Sequence, residues 1–230
     1  MKNLLIAATV VALGGVANAQ IITAWDFNGT LNTTSPATSV GVGSASLVGG
    51  VTATSAGGSP NDPAVVSDNR WGTTTYAAQG AGSGTRGVRF NVSTALYKDI
   101  VVKFDQRFSN TANRWSLFEI TTDGGATWSS AGISGALFQH TTGGDQWSVR
   151  TYNLSTLAAV NNNANFGFRI MSVFNPSTGA YQAANSGSNY ATTGTIGYDL
   201  VQISGQPVPE PATMVALGLG VAAALRRGKK

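Results

Sequence analysis

Ile100-Val101-Val102-Lys103-Phe104-Asp105-Gln106-Arg107-Phe108 decides how the chain is read. Ile100, Val102, Phe104 and Phe108 alternate with Val101, Lys103, Asp105 and Arg107. A strand turns successive side chains to opposite faces, so a period of two describes a strand with one buried face. Phe166, Phe168, Ile170 and Phe174 repeat the pattern against Gly167, Arg169, Met171 and Val173. Further strands are expected near residues 21–27, 85–92, 115–122, 146–154 and 195–203. Asp123-Gly124-Gly125 and Gly143-Gly144-Asp145 supply turn signals between them. No long stretch has a helical period except at the two termini. Many short strands with Gly-rich connections predict an all-β chain, an antiparallel β-sandwich of jelly-roll type. Residues 28–63, the region richest in Gly, Ser, Thr and Pro, are expected to form a long irregular excursion with one short strand around 46–51.

The termini have a different character. Met1–Ala19 has the layout of a secretory signal peptide, expected as a short helix: Lys2, an apolar stretch from Leu4 to Val16, then Ala17-Asn18-Ala19. Small residues before the cut place signal peptidase cleavage between Ala19 and Gln20. At the other end, Pro209-Glu210-Pro211 precedes an uncharged apolar run, Ala212–Leu225, and a basic end of Arg226, Arg227, Lys229 and Lys230. Each proline fixes φ and biases its predecessor toward an extended form, so a helix can begin only after Pro211. The basic residues would stop that helix at a membrane face. At 1.5 Å per residue the run reaches about 21 Å, shorter than the roughly 30 Å of bilayer hydrocarbon. The chain therefore divides into residues 1–19, a sandwich over 20–206, and a sorting or anchor segment over 207–230.

Removing both ends changes the meaning of the charge. The chain has 14 basic and 10 acidic residues, net +4. Lys2 and the four basic residues of the tail account for five of the former, and Glu210 for one of the latter. The middle holds nine of each and is formally neutral, which excludes a basic nucleic-acid footprint. There are no cysteines, so an exported domain of about 187 residues must hold together by burial alone, and that length supplies a sizeable core.

The tail resembles the PEP-CTERM sorting signal of Gram-negative bacteria, with the three parts of that signal in order over about 23 residues. The resemblance implies recognition by exosortase, an integral membrane transpeptidase. It implies transient anchoring in the inner membrane, then processing near Pro209-Glu210-Pro211 and release or transfer to the cell surface or matrix. In the middle, Phe104–Trp115 (F-D-Q-R-F-S-N-T-A-N-R-W) leading into Thr121–Trp128 (T-T-D-G-G-A-T-W) resembles the jelly-roll ectodomain common in PEP-CTERM proteins. That ectodomain is distantly similar to laminin-G-like and carbohydrate-binding sandwiches. Thr121–Trp128 also fits the Asp-box pattern, a structural hairpin in sialidase-like propellers. It occurs once here, and a propeller needs repeated blades. The expectation is a tight hairpin in which Asp123 accepts backbone N–H bonds, Gly124 or Gly125 takes positive φ and Trp128 covers the apolar face.

No catalytic constellation emerges. His140 is the only histidine, in the loop-like F-Q-H-T-T-G-G, and reads as a surface residue. Glu119 is the only glutamate outside the tail. With Asp105 or Asp123 it would make a carboxylate pair of the glycosidase kind, but its strand position suits an ion pair with arginine equally. The chain reads as a non-enzyme. A structural Ca²⁺ is a possible cofactor. Asp26 follows Trp25 in the first strand, and Asp199 lies in the last, on the face of Val201 and Ile203. A carboxylate on an apolar face needs a partner, and similar sandwiches hold Ca²⁺ between their first and last strands. The alternatives are an arginine partner or backbone N–H donors. For sugar binding, Trp71, Tyr76, Tyr181 and Tyr190 lie in polar surroundings, exposed or tucked under loops. Trp25, Trp115, Trp128 and Trp147 read as core. Asn161-Asn162-Asn163 carries no site signature. Two functions compete: a non-catalytic surface or matrix protein, and a secreted lectin-like or glycan-degrading module acting on extracellular polysaccharide.

Overall fold

A computed structural model describes residues 18–208 apart from Thr30, Val65 and Thr142. The helices expected at the two ends lie outside the described residues. Eleven strands form two antiparallel sheets. Those of the first are β1 (Gln20–Trp25), β3 (Thr52–Gly57), β4 (Asn69–Thr74), β6 (Tyr97–Phe108), β9 (Gln146–Asn153) and β11 (Ile196–Pro207). Their order is β3-β4-β11-β6-β9, with β1 also paired to β11. The second holds β2 (Gly43–Val48), β5 (Arg86–Val92), β7 (Trp115–Thr121), β8 (Leu137–Gln139) and β10 (Gly167–Ser172), in the order β2-β5-β10-β7-β8. The only helical element among the described residues is one 3-10 turn, Ala158–Val160.

The inner faces are built by the predicted alternation. Ile100, Val102, Phe104 and Phe108 of β6 are fully buried, as are Phe168 and Ile170 of β10. Phe118 and Tyr152 stack across the two sheets at 3.8 Å between ring centroids, and Phe90 stacks on Phe168 at 4.8 Å. Each such ring contributes on the order of 1.5–3 kcal/mol by leaving water. Close sheet packing also constrains the backbone. A side chain at Gly87 would place its Cβ 2.0 Å from the carbonyl oxygen of Ile170 on the paired strand.

Three expectations fail for identifiable reasons. Residues 28–63 hold two strands rather than the one expected around 46–51. β2 and β3 are linked by Gly49 and Gly50, both at positive φ, which the Gly-rich composition disguised. β4, where no strand was expected, contributes Trp71 to the core at 1% exposure. The tryptophans also divide differently. Trp25 and Trp71 are buried, whereas Trp115, Trp128 and Trp147 are half-buried on the outside. Lastly, the alternation changes phase in β11. Leu200 takes φ 46°, and the pairing with β6 shifts between Asp199 and Gln202. A bulge adds one residue and swaps the faces beyond it. Tyr198, Val201 and Ile203 all point inward, so Asp199 does not share their face; it lies on the outer one.

The same bulge lets β11 serve two partners in series along one edge. Ile196–Tyr198 pairs with β4, and Val201–Gly205 with β1. At the exposed edge strand β9, Arg150 points between the sheets, its guanidinium 4.5 Å from the Phe138 ring and donating to the Gln139 carbonyl. An inward charge of this kind discourages a further strand from adding to the edge.

Candidate metal centre and the C-terminal motif

The outer face of the first sheet is covered where β6 and β11 run side by side. Asp105 of β6 is paired with Asp199 of β11, and both are buried. Their cover is the connection between β3 and β4. Ser59 donates its backbone N–H to Asp199 (2.6 Å) and its hydroxyl to Asp105 (2.5 Å); Asn61 donates its side-chain amide to Asp105 at 2.7 Å. The same connection brings Asp62 and Asp68 to Asp199. One carboxylate oxygen from each of the three lies within 4.8 Å of the others. Gly58 sits against the cluster, with room for no side chain: a Cβ there would be 1.8 Å from Asp68 Oδ1 and 2.7 Å from Asp199 Oδ2.

Asp199 accepts the N–H groups of Ser59 and of Leu200. Asp62 accepts Asn28 Nδ2 and Ala64 N–H. Asp68 Oδ1 and Asp105 Oδ1 are buried without a hydrogen-bond partner. Burial chiefly, and then the neighbouring Asp62 and Asp68, push Asp199 up to about 7 against the two N–H donors. Burial and Asp62 also raise Asp68. Three carboxylates sharing one small volume repel one another unless protons or a cation intervene. All donors are hard oxygen atoms, the set that suits Ca²⁺. Arg70 is the nearby cation, but its Nη1 donates to the Gly57 carbonyl rather than to a carboxylate. Asp26 stands outside the cluster. Its Oδ1 accepts the Asn28 N–H, and its link to the carboxylates runs through Asn28. Asp62 and Asp68 were missed in the sequence because they sit in a polar connection with no periodicity.

Thr121–Trp128 forms the tight turn. Asp123 accepts the Thr121 hydroxyl (2.6 Å), the Thr127 N–H (3.0 Å) and the Thr127 hydroxyl, while Gly124 and Gly125 take φ 76° and 99°. These hydrogen bonds, the Thr121 and Thr127 hydroxyls first, hold Asp123 well below the usual carboxylate range. Trp128 does not cover the core. It lies on the outer face of the second sheet, with Arg169 at 4.7 Å and Arg89 at 5.4 Å from the ring centroid.

His140 is not at the surface. It is fully buried, its Nε2 2.7 Å from the Gly143 carbonyl, and packs on Phe108 at 4.5 Å. Burial mainly, with Arg150 and Arg114 adding, lowers it to about 4 against the Gly143 contact. Glu119 is ion-paired with Arg169 at 2.7 Å. Trp71, Tyr76 and Tyr181 are buried rather than displayed, and Tyr190 is half-buried with its hydroxyl on the Ala77 carbonyl.

The last described contact is the Val208 N–H on the Leu96 carbonyl, 2.7 Å, which closes β11 against the start of β6. One residue later the Pro209-Glu210-Pro211 stretch begins. Residues 207–230 carry the PEP-CTERM protein-sorting motif. The processing residues Pro209, Glu210 and Pro211 and the basic end lie outside the described residues, whereas Ala19 and Gln20 are exposed at the start of β1. Among the described residues no helix is long and apolar enough to cross a membrane.

No curated protein matches the chain. Among solved structures it is similar to the CBM22-1 xylan-binding domain of Paenibacillus barcinonensis Xyn10C, with 11% identity and a TM-score of 0.48 over 85% of this chain and 100% of that one. It is also similar to the family 11 carbohydrate-binding module of Clostridium thermocellum, with 13% identity and a TM-score of 0.38 over 83% and 100%. The K2 cleaved adhesin domain of Lys-gingipain shares 12% identity and a TM-score of 0.38 over 80% and 97%. At these values the likeness concerns sandwich shape and carries nothing about ligands.

Proposed function

We propose that the chain is a non-catalytic cell-surface or extracellular-matrix protein. It is exported through its signal peptide, held for a time in the inner membrane by residues 212–225, and processed by exosortase at the PEP-CTERM motif. The observation that carries this reading is the join between fold and motif. The sandwich closes at Val208, and the sorting motif occupies what remains of the chain. Deleting residues 209–230 in a host that carries exosortase tests it. The truncated sandwich should pass into the periplasm or medium without surface retention, and unchanged surface delivery would refute the reading.

A non-catalytic role fits the state of the polar groups. The single histidine is buried and low in basicity, and Glu119 is held by Arg169. The carboxylates of the Asp62–Asp68–Asp199 cluster are proposed to hold one structural Ca²⁺, which would tie the β3–β4 connection to β11. One observation favours a second reading, glycan binding. Trp147 stands half-exposed on the outer face of β9, two residues from Val149, which is 48% exposed. An apolar strip with an indole face suits the faces of sugar rings.

A further inference from the structure

β1 begins where β11 ends: Gln20 is the pairing partner of Gly205. The signal-peptide junction and the tail therefore leave the sandwich side by side, at one pole. We propose that this pole is a lipid-contact surface, with Leu96 and Val42 set into the headgroup layer of the membrane that holds the tail. The proposal rests on the reading of residues 212–225 as membrane-inserted.

Where the tail leaves is the first support. Val208 is hydrogen-bonded to the Leu96 carbonyl. From Val208 to Ala212, where the apolar run starts, four residues reach at most about 14 Å when fully extended. The Leu96 turn cannot stand far from the bilayer while that run is inserted.

What the pole displays is the second support. Leu96 is 54% exposed, Ile21 47% and Val42 87%. Leu96 holds this position at φ 68°, a backbone conformation costly for a bulky residue. The turn is fixed from beneath by the asparagine run that the sequence left without a role. Asn162 Oδ1 accepts the Leu96 N–H at 2.8 Å, and Asn161 Oδ1 accepts the Asp99 N–H at 3.0 Å. Asn163 exchanges backbone and side-chain bonds with Thr94. Val42 precedes Gly43, which pairs with Val92 four residues before Leu96, and a cleft of about 510 Å³ lies between Val42 and Ser93. Lys98 completes the chemistry. Its side chain is half-exposed, and among the described residues its amine forms an ion pair only with its neighbour Asp99, at 3.9 Å, which leaves it open to lipid phosphates. Apolar tips beside a long cationic side chain suit a bilayer surface.

The chain has no cysteine, so single substitutions can be labelled cleanly. Leu96→Cys, Val42→Cys and Ser177→Cys would carry an environment-sensitive NBD fluorophore in the full chain, reconstituted in phosphatidylethanolamine/phosphatidylglycerol vesicles. Ser177 lies in the exposed turn after β10, at the opposite pole. Ala216→Cys reports the tail itself. With doxyl-labelled lipids the probes at 96, 42 and 216 should shift to the blue and lose most of their emission, and the probe at 177 should not. Quenching at 216 alone overturns the lipid-contact surface and leaves the tail reading standing; Leu96 and Val42 would then be free for a protein partner. No quenching at 216 removes both.

Discussion

Acidification acts on one buried group that can be followed in isolation. His140 is the only histidine, is fully buried, and falls from 6.5 to about 4, with burial as the first cause. A histidine whose folded value lies below its unfolded value is neutral in the native state, and protonation favours the unfolded chain. Its contribution is complete above pH 6.5 and is lost as the pH falls toward 4. At about 1.36 kcal/mol per pH unit, the difference is on the order of 3 kcal/mol. The carboxylates also respond to acid, so the comparison must be differential. Urea denaturation of the wild type and of His140→Gln at pH 7 and pH 4 isolates the term, because glutamine can donate to the Gly143 carbonyl but cannot take up a proton. Between those pH values the wild type should lose about 3 kcal/mol more than the variant. The single imidazole resonance should titrate near 4. An imidazole that titrates near 6.5, or identical acid losses in both proteins, would refute the buried, structural role.

Three further outcomes follow from the geometry. Chelation should lower the melting temperature. Ca²⁺ at a hundredfold excess over its dissociation constant should raise it by about 5–10 °C, and Asp199→Asn should erase the response; a chelator without effect removes the calcium proposal. Gly87→Ala should destabilise by about 3 kcal/mol or more in denaturant titration, because the new methyl must displace the β10 backbone. If Trp147 is a glycan platform, Trp147→Ala should weaken binding on a polysaccharide array by about 2 kcal/mol, roughly thirtyfold, with the melting temperature nearly unchanged.

Where burial followed a local period, the sequence was readable. β6, β10 and the outer parts of β11 were visible because water was excluded from every second residue. What it hid depended on partners far along the chain. Nothing near Asp199 announces that Ser59, 140 residues away, will cover it. Nothing in Tyr198-Asp199-Leu200-Val201 marks the bulge that turns Asp199 outward, because leucine at positive φ is the reverse of the usual glycine signal. Trp71 looked like a loop aromatic because Gly72 and three threonines follow it. Its burial comes from Phe27, just past β1, and from Phe90 and Tyr198 on other strands. The Asp62–Asp68–Asp199 cluster was half legible: the last-strand carboxylate was singled out, and its companions lay in the β3–β4 connection rather than in β1.

The central claim is that two addresses bracket the sandwich and are removed or processed in turn. Intact mass of the protein recovered from the cell surface or medium, with and without exosortase, tests it most directly. With the enzyme, the mass should correspond to a chain that begins at Gln20 and has been cut near Pro209-Glu210-Pro211. Without it, the chain should keep Arg226 to Lys230 and remain in the membrane. A surface form that retains those basic residues whether or not exosortase is present would contradict the account.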